Sequence, residues 1–247
     1  MIHISEGGAG RGSPRWASAR TPVAAVSPDT YLRLMSAILA VVLLLNLVAI
    51  YGFHTSGPGL VRRVARLFLL DAEQNFATLF NFSLIAVNAA LLGLIGLAAF
   101  DERDRWRWHW TILGLLFLLL AYDEAASLHE RLMPIGRALV PGEGLLFFTW
   151  VIFGAAFVLV VVLAYLRFVL ALPRRTGTLV VLAGALYVGG ALGVELWSGH
   201  FASANGMDNI GFQLISTVEE TLEIAGQILF GYALLGYIAF GREAEHG

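Results

Sequence analysis

Residues 211–240 read GFQLISTVEETLEIAGQILFGYALLGYIAF. The run exceeds the roughly 20 apolar residues that a helix needs to cross a hydrocarbon core of about 30 Å. Within it Gln213, Ser216, Glu220, Glu223 and Gln227 recur at spacings of three and four, which puts them on one helical face, with Glu219 beside them. At about 1.5 Å of rise per residue, Glu223 lies about 15 Å below the outer boundary, too deep to reach water by bending toward the interface. Charge inside a bilayer is costly and is generally paired or functional. The segment therefore predicts both a membrane-spanning helix and a buried acidic site.

Working outward, five further apolar segments are long enough to span, at about 31–53, 72–100, 108–128, 145–170 and 177–198. The whole chain agrees. Of its 247 residues, 58% are hydrophobic and 14% charged, against about 45–50% and 25% in soluble domains. Mean hydropathy is +0.75. The expected fold is all-α, a polytopic membrane bundle of six transmembrane helices. Between the first two spans, residues 58–68 place Arg62, Arg63 and Arg66 on one face and Val, Leu and Phe on the other, as in an amphipathic helix lying in the interface. Residues 1–29 carry Gly, Ser, Pro and Arg without an apolar run and read as a disordered cytoplasmic tail. The transmembrane domain is then 30–241 and the C-terminal tail 242–247.

Every basic residue is Arg and none is Lys. That composition points to a high-GC bacterial genome, hence to a bacterial inner (plasma) membrane, and it excludes a retinal Schiff base or a lysine nucleophile. Cysteine is absent, which removes disulfides and thiolate metal sites. Arg62, Arg63, Arg66, Arg131 and Arg137 fall on one side of the spans and the other eleven arginines on the opposite side. The positive-inside bias then sets both termini in the cytoplasm. With net charge −2 and no basic run, nucleic acid is not an expected partner; membrane lipid and other membrane subunits are.

The acidic residues are one-sided. Asp71, Glu73, Asp123, Glu124, Glu130, Glu195, Glu219, Glu220 and Glu223 all lie toward the outer side, with His54, His129 and His200. The second span carries a stripe of its own, Gln74, Thr78, Asn81 and Asn88, and two polar stripes in a bundle are expected to face one another and line a cavity. Gly184, Gly189, Gly190 and Gly193 predict close packing of the fifth span. Clustered carboxylates in a low dielectric repel by several kcal/mol per pair as an order of magnitude. Protonation, arginine pairing or a bound cation must offset this.

Carboxylates with imidazoles suit zinc, iron or manganese. The leading expectation is a divalent metal ion held by Asp123, His129, Glu195, His200, Glu220 and Glu223. Glu124 or Glu219 would act as general base on a bound water, in a metal-dependent hydrolase acting on a membrane-associated substrate. His129-Glu130 begins an HExxH pattern, but Met133 stands where the second histidine belongs, so the zincin motif fails. A second reading is a cation- or proton-coupled transporter along Gln74, Asn81, Asn88, Glu220, Glu223 and Gln227, although the stripes meet no ionisable residue below Gln227. A third is a non-catalytic subunit or assembly factor of a membrane complex.

Leu70-Asp71-Ala72-Glu73-Gln74-Asn75-Phe76-Ala77-Thr78-Leu79-Phe80 and Tyr122-Asp123-Glu124-Ala125-Ala126-Ser127-Leu128-His129-Glu130 resemble segments of an uncharacterised family of bacterial multi-pass inner-membrane proteins with no assigned activity. Glu219-Glu220 forms a third block. The resemblance implies that these blocks act as one site, and it supplies no reaction.

Overall fold

The computed structural model describes residues 26–72 and 74–246, with side chains described as far as Ala239. Most of the expected N-terminal tail, Glu73 and Gly247 lie outside the described residues. The chain forms α1 Pro28–Thr55, α2 Leu60–Arg66, α3 Phe76–Asp101, α4 Arg107–Ala126, α5 Met133–Arg137, α6 Val151–Ala171, α7 Arg174–Val188, α8 Glu195–Asn205 and α9 Ile210–His246. A π-helical turn, Gly189–Val194, joins α7 to α8 without a break. Six helical stretches are long and apolar enough to cross a membrane. The chain is thus a multi-pass helical bundle, as the spacing of its apolar segments predicts.

Local chemistry sets the helix ends. Ser27 caps α1, its Oγ accepting from Thr30 N at 3.1 Å with Pro28 in the first turn. Asn75 caps α3 by accepting from Ala77 N and Thr78 N, and Asn209 accepts from Phe212 N at the start of α9. Each cap satisfies N–H groups that the first helical turn leaves without partners. The interfacial helix is α2. Its Leu60, Val61 and Val64 are exposed, while Arg62 turns onto the Phe53 ring at 4.0 Å and toward Asp208 at 3.7 Å.

The bundle is apolar on its outside as well as in its core. Leu44, Val48, Leu163, Leu166 and Leu170 are among many large apolar side chains that face outward. An apolar surface this extensive marks contact with something other than water, and here the helix lengths supply the bilayer. Within the apolar core several amides and hydroxyls are buried too: Asn46, Asn81, Asn88, Ser198, Gln213 and Gln227.

Helix α9 is the hub, packing on α1, α3, α7, the π turn and α8, while α3 also pairs with α4. Aromatic contacts tie α4 to α9 (Phe117 on Phe230 at 4.7 Å, Trp110 on Tyr237 at 5.1 Å) and α6 to α4 (Phe168 on Trp110 at 4.7 Å). The connections 56–75, 127–150 and 206–209 lie on one side, the long-loop side. The short connections 102–106 and 172–173 lie on the other.

Candidate functional site

Helices α4, α6, α7–α8 and α9 surround an acid cluster on the long-loop half of the bundle. Glu223 of α9 has Glu220, Glu124, Glu195 and Asp123 as electrostatic neighbours. Glu219 has Glu195, Glu223 and Glu220. Carboxyls from three helices therefore do converge.

Asp123 organises the end of α4. Ser127 terminates that helix in a left-handed conformation, φ +47° and ψ +50°, uncommon for a residue with a side chain. The turn folds His129 back. Asp123 Oδ1 accepts from His129 N at 2.7 Å, and Asp123 Oδ2 lies 3.0 Å from His129 Nδ1. Burial pulls the His129 imidazole down, but the hydrogen bond and charge of Asp123, with Glu130 and Glu195, outweigh it and hold its pKa above the usual value. The His129 ring packs on Trp150 at 4.7 Å.

Trp150 links this pair to Glu195. Its Nε1 donates to Glu195 Oε1 at 2.8 Å, and Ser198 Oγ donates to Glu195 Oε2 at 3.2 Å. Glu195 follows the π turn directly. Such turns insert one residue into a helix and recur at functional sites; here the insertion sets the phase of Glu195. Gly190 in the turn lies against α9 so closely that a Cβ would stand 2.7 Å from Glu219 O and 2.9 Å from Glu223 Cγ. Close packing is thus correct for Gly190. Gly184, Gly189 and Gly193 have nothing within 4 Å of a Cβ. The Glu219 carboxyl is hydrogen-bonded to that of Glu195. Its Oε2 is buried without a partner among the described residues. Ionised carboxylates only accept hydrogen bonds, so a hydrogen bond between the Glu195 and Glu219 carboxyls needs one of the pair to carry a proton.

The expected six-residue metal shell does not close on one point. Among the described residues, no group of three or more His, Asp and Glu is arranged to hold a metal ion. The donors are engaged elsewhere: both Asp123 oxygens by His129, and both Glu195 oxygens by Trp150 and Ser198. His200 is exposed, with Nδ1 only 3.8 Å from where a Cβ on Gly144 would sit. It shares the side of the acid cluster without joining it. Glu220 and Glu223 join the cluster, as do Glu124 and Glu219, the two expected general bases.

The polar stripes meet at one level only. Asn88 Nδ2 donates to Gln227 Oε1 at 2.9 Å and to Gln227 O at 3.0 Å. Gln74 is exposed outside α3, Thr78 serves the Asn75 cap, and both amide atoms of buried Asn81 lack partners among the described residues. The upper end of α9 turns instead to α1. His54 Nε2 lies 2.9 Å from Gln213 Oε1, and Asn46 Nδ2 donates to Thr217 Oγ1 at 2.8 Å. A cavity of about 340 Å³ opens there, lined by Phe53, Arg66, Asp71, Met207, Asp208 and Gln213. Asp71 is exposed at the edge of this opening, and partial desolvation there nudges its carboxyl above the usual carboxylate value, against the pull of its hydrogen bonds and of His54.

Sequence reasoning missed Tyr187, which stands among Glu223, Glu124, Asp123 and Glu220, because its surroundings in the chain are uniformly apolar. Trp150 also went unmarked as a site residue, although its indole holds Glu195. The signal that could have found Ser198 is its spacing of three from Glu195, one helical turn.

A family model described as "Domain of unknown function (DUF8692)" matches residues 34–237. Neither the curated proteins nor the solved structures gave a match.

Proposed function

We propose that the chain, which belongs to the DUF8692 family of unknown function, is a membrane protein that holds and transfers protons at its acid cluster, as the coupling site of a proton-linked transport process. The observation that carries this reading is the Glu195–Glu219 carboxyl contact, set within a group that includes Glu124, Glu220, Glu223 and Asp123. Like charges in a poorly solvated site cannot all ionise, and a shared proton is the simplest neutraliser. Asp123 and His129 form the group nearest the long-loop face, and the raised imidazole pKa suits an acceptor that delivers protons inward. The depth and dense packing of Glu219 and Glu223 against Gly190 support a site that exchanges protons rather than a bulky substrate.

The test is infrared difference spectroscopy of the protein in lipid nanodiscs, following the carbonyl stretch of protonated carboxyls as pH is changed. The wild type shows such a band near neutral pH, and it falls in Glu195→Gln and Glu219→Gln. No protonated-carboxyl band near neutral pH overturns the reading. So does a stoichiometric metal in the purified wild type that a Glu220→Gln/Glu223→Gln variant loses, because a bound cation would then be the neutraliser.

A further inference from the structure

The opening between α1, α2 and α9 carries charges of both signs. Arg66 enters its cavity from the end of α2, Asp71 from the turn that follows, and Asp208 from the connection before α9. Among the described residues Arg66 and Asp71 form no ion pair. Asp208 has Arg62 as its partner, but at 3.7 Å, beyond the reach of a hydrogen bond. Arg62 Nε is itself buried without a partner among the described residues. Opposite charges thus border one space of about 340 Å³ without closing on one another.

The surroundings hold them apart. The Arg62 and Arg66 guanidinium groups lie 4.0 and 5.5 Å from the centre of the Phe53 ring, whose face attracts cations. Asp71 is held instead by a hydrogen bond from the Gln213 amide, and Gln213 Oε1 lies 2.9 Å from His54 Nε2. The arginines are therefore fixed on the aromatic ring and the carboxylate on the first turn of α9.

The level of the opening in the membrane follows from its rim. Leu60, Val61, Val64 and Leu67 are exposed along α2 and at its end, and Met207 is exposed at the cavity itself. Apolar side chains beside arginines on a short helix belong at the boundary of headgroups and acyl chains. The cavity opens into that layer. Its volume is at the small end for ligand sites, enough for a headgroup and not for a whole lipid.

Charge selects the headgroup. A purely anionic group would face Asp71 and Asp208, and a purely cationic one Arg66; such like-charge encounters reject a ligand. A group with both charges meets a partner for each. Phosphate oxygens match the fork of a guanidinium. A primary ammonium brings three N–H donors to carboxylate acceptors, whereas a trimethylammonium brings none.

We propose that this cavity binds the headgroup of a zwitterionic aminophospholipid of the phosphatidylethanolamine class, with its phosphate on Arg66, its ammonium on Asp71 and Asp208, and its acyl chains leaving past Met207. The site is separate from the acid cluster and does not depend on the proton-handling reading.

The test is native mass spectrometry of the full chain in mild detergent, mixed with phosphatidylethanolamine, phosphatidylcholine or phosphatidylglycerol bearing the same acyl chains. The wild type retains one phosphatidylethanolamine at least fivefold more than either of the others. Arg66→Gln lowers that retention at least fivefold. Arg137→Gln, the same change of charge at an exposed position on the same side, leaves it unchanged. Asp71→Asn/Asp208→Asn, at two exposed residues, abolishes the preference over phosphatidylglycerol and keeps the proposal testable if Arg66→Gln folds poorly. Equal retention of the three lipids, or a preference for either of the other two, overturns the zwitterion site. A preference for phosphatidylethanolamine that survives all these substitutions overturns its location. Free phosphoethanolamine that binds without lipid as tightly as the lipid does overturns the bilayer as its source. In each of these cases the protonated-carboxyl band is unaffected, so failure here is distinct from failure of the proton-handling reading.

Discussion

Replacing Gly190 with Ala puts one methyl group where the π turn meets α9. The built Cβ stands 2.7 Å from Glu219 O, 2.9 Å from Glu223 Cγ and 3.2 Å from Glu223 N. Two of these atoms are backbone, so a side-chain rotation cannot relieve the clash. Ordinary van der Waals contact begins near 3.4 Å, so the two helices must separate by about 0.7 Å at this level. Overpacking of this kind costs about 1–3 kcal/mol. Gly184→Ala is the internal control. It lies earlier in the same span, its Cβ meets nothing within 4 Å, and Ala in place of Gly in a helix gains about 0.5–1 kcal/mol. The two single-methyl variants should therefore differ by about 1.5–4 kcal/mol and move in opposite directions. For a chain of this length 1 kcal/mol corresponds to about 2–4 °C in Tm. Thermal unfolding in mild detergent should place Gly190→Ala well below the wild type and Gly184→Ala at or above it. Equal Tm values for the two variants would refute the claimed close approach, and with it the packing that confines Glu219 and Glu223.

Three other outcomes follow from the same geometry. His129 has a raised pKa in the folded protein, so the stability it contributes is fully present below the ordinary imidazole value of about 6.5 and is lost as pH rises through the raised one. Wild-type Tm should fall across that interval, and His129→Asn should flatten the fall. Trp150→Phe removes the donor to Glu195 Oε1; a hydrogen bond to a charged group is worth about 1.5–3 kcal/mol, and a drop in Tm of about 3–12 °C, without loss of helical circular dichroism, is expected. Asn46→Leu strands Leu70 N, which Asn46 Oδ1 accepts at 2.9 Å, and frees Thr217. Denaturant titration should show a loss of about 1–3 kcal/mol, and proteolysis of the 56–75 connection should quicken.

The spans were legible in the sequence because length and apolarity alone decide whether a helix can cross a bilayer. The interfacial helix was legible because Arg62 and Arg66 fall on one side of a helical wheel. The one-sidedness of the carboxylates foretold a cluster. Which residues enter it was less legible, since a shared membrane level does not fix a shared helix face. His200 is on the right side but exposed, whereas Tyr187 sits inside with no polar neighbour in the chain to mark it. The π turn illustrates the same limit. Gly189, Gly190 and Gly193 mark a tolerant stretch, but the extra residue that sets the phase of Glu195 appears only once the backbone hydrogen bonds are drawn.

Helix α9 grips α1 through Gln213 and Thr217 and, within three turns, presents Glu219 and Glu223 to the opposite flank. It is a rigid shaft loaded on both sides. A twist about its own axis that loosened the His54–Gln213 contact would also swing the glutamates past Glu195. A change that broke the His54–Gln213 contact at the mouth between Phe53 and Asp208 would thus act on a carboxyl pair it never touches. Changes at His54 and at Glu195 should then prove energetically non-additive, although they lie on separate helices at opposite flanks of the shaft.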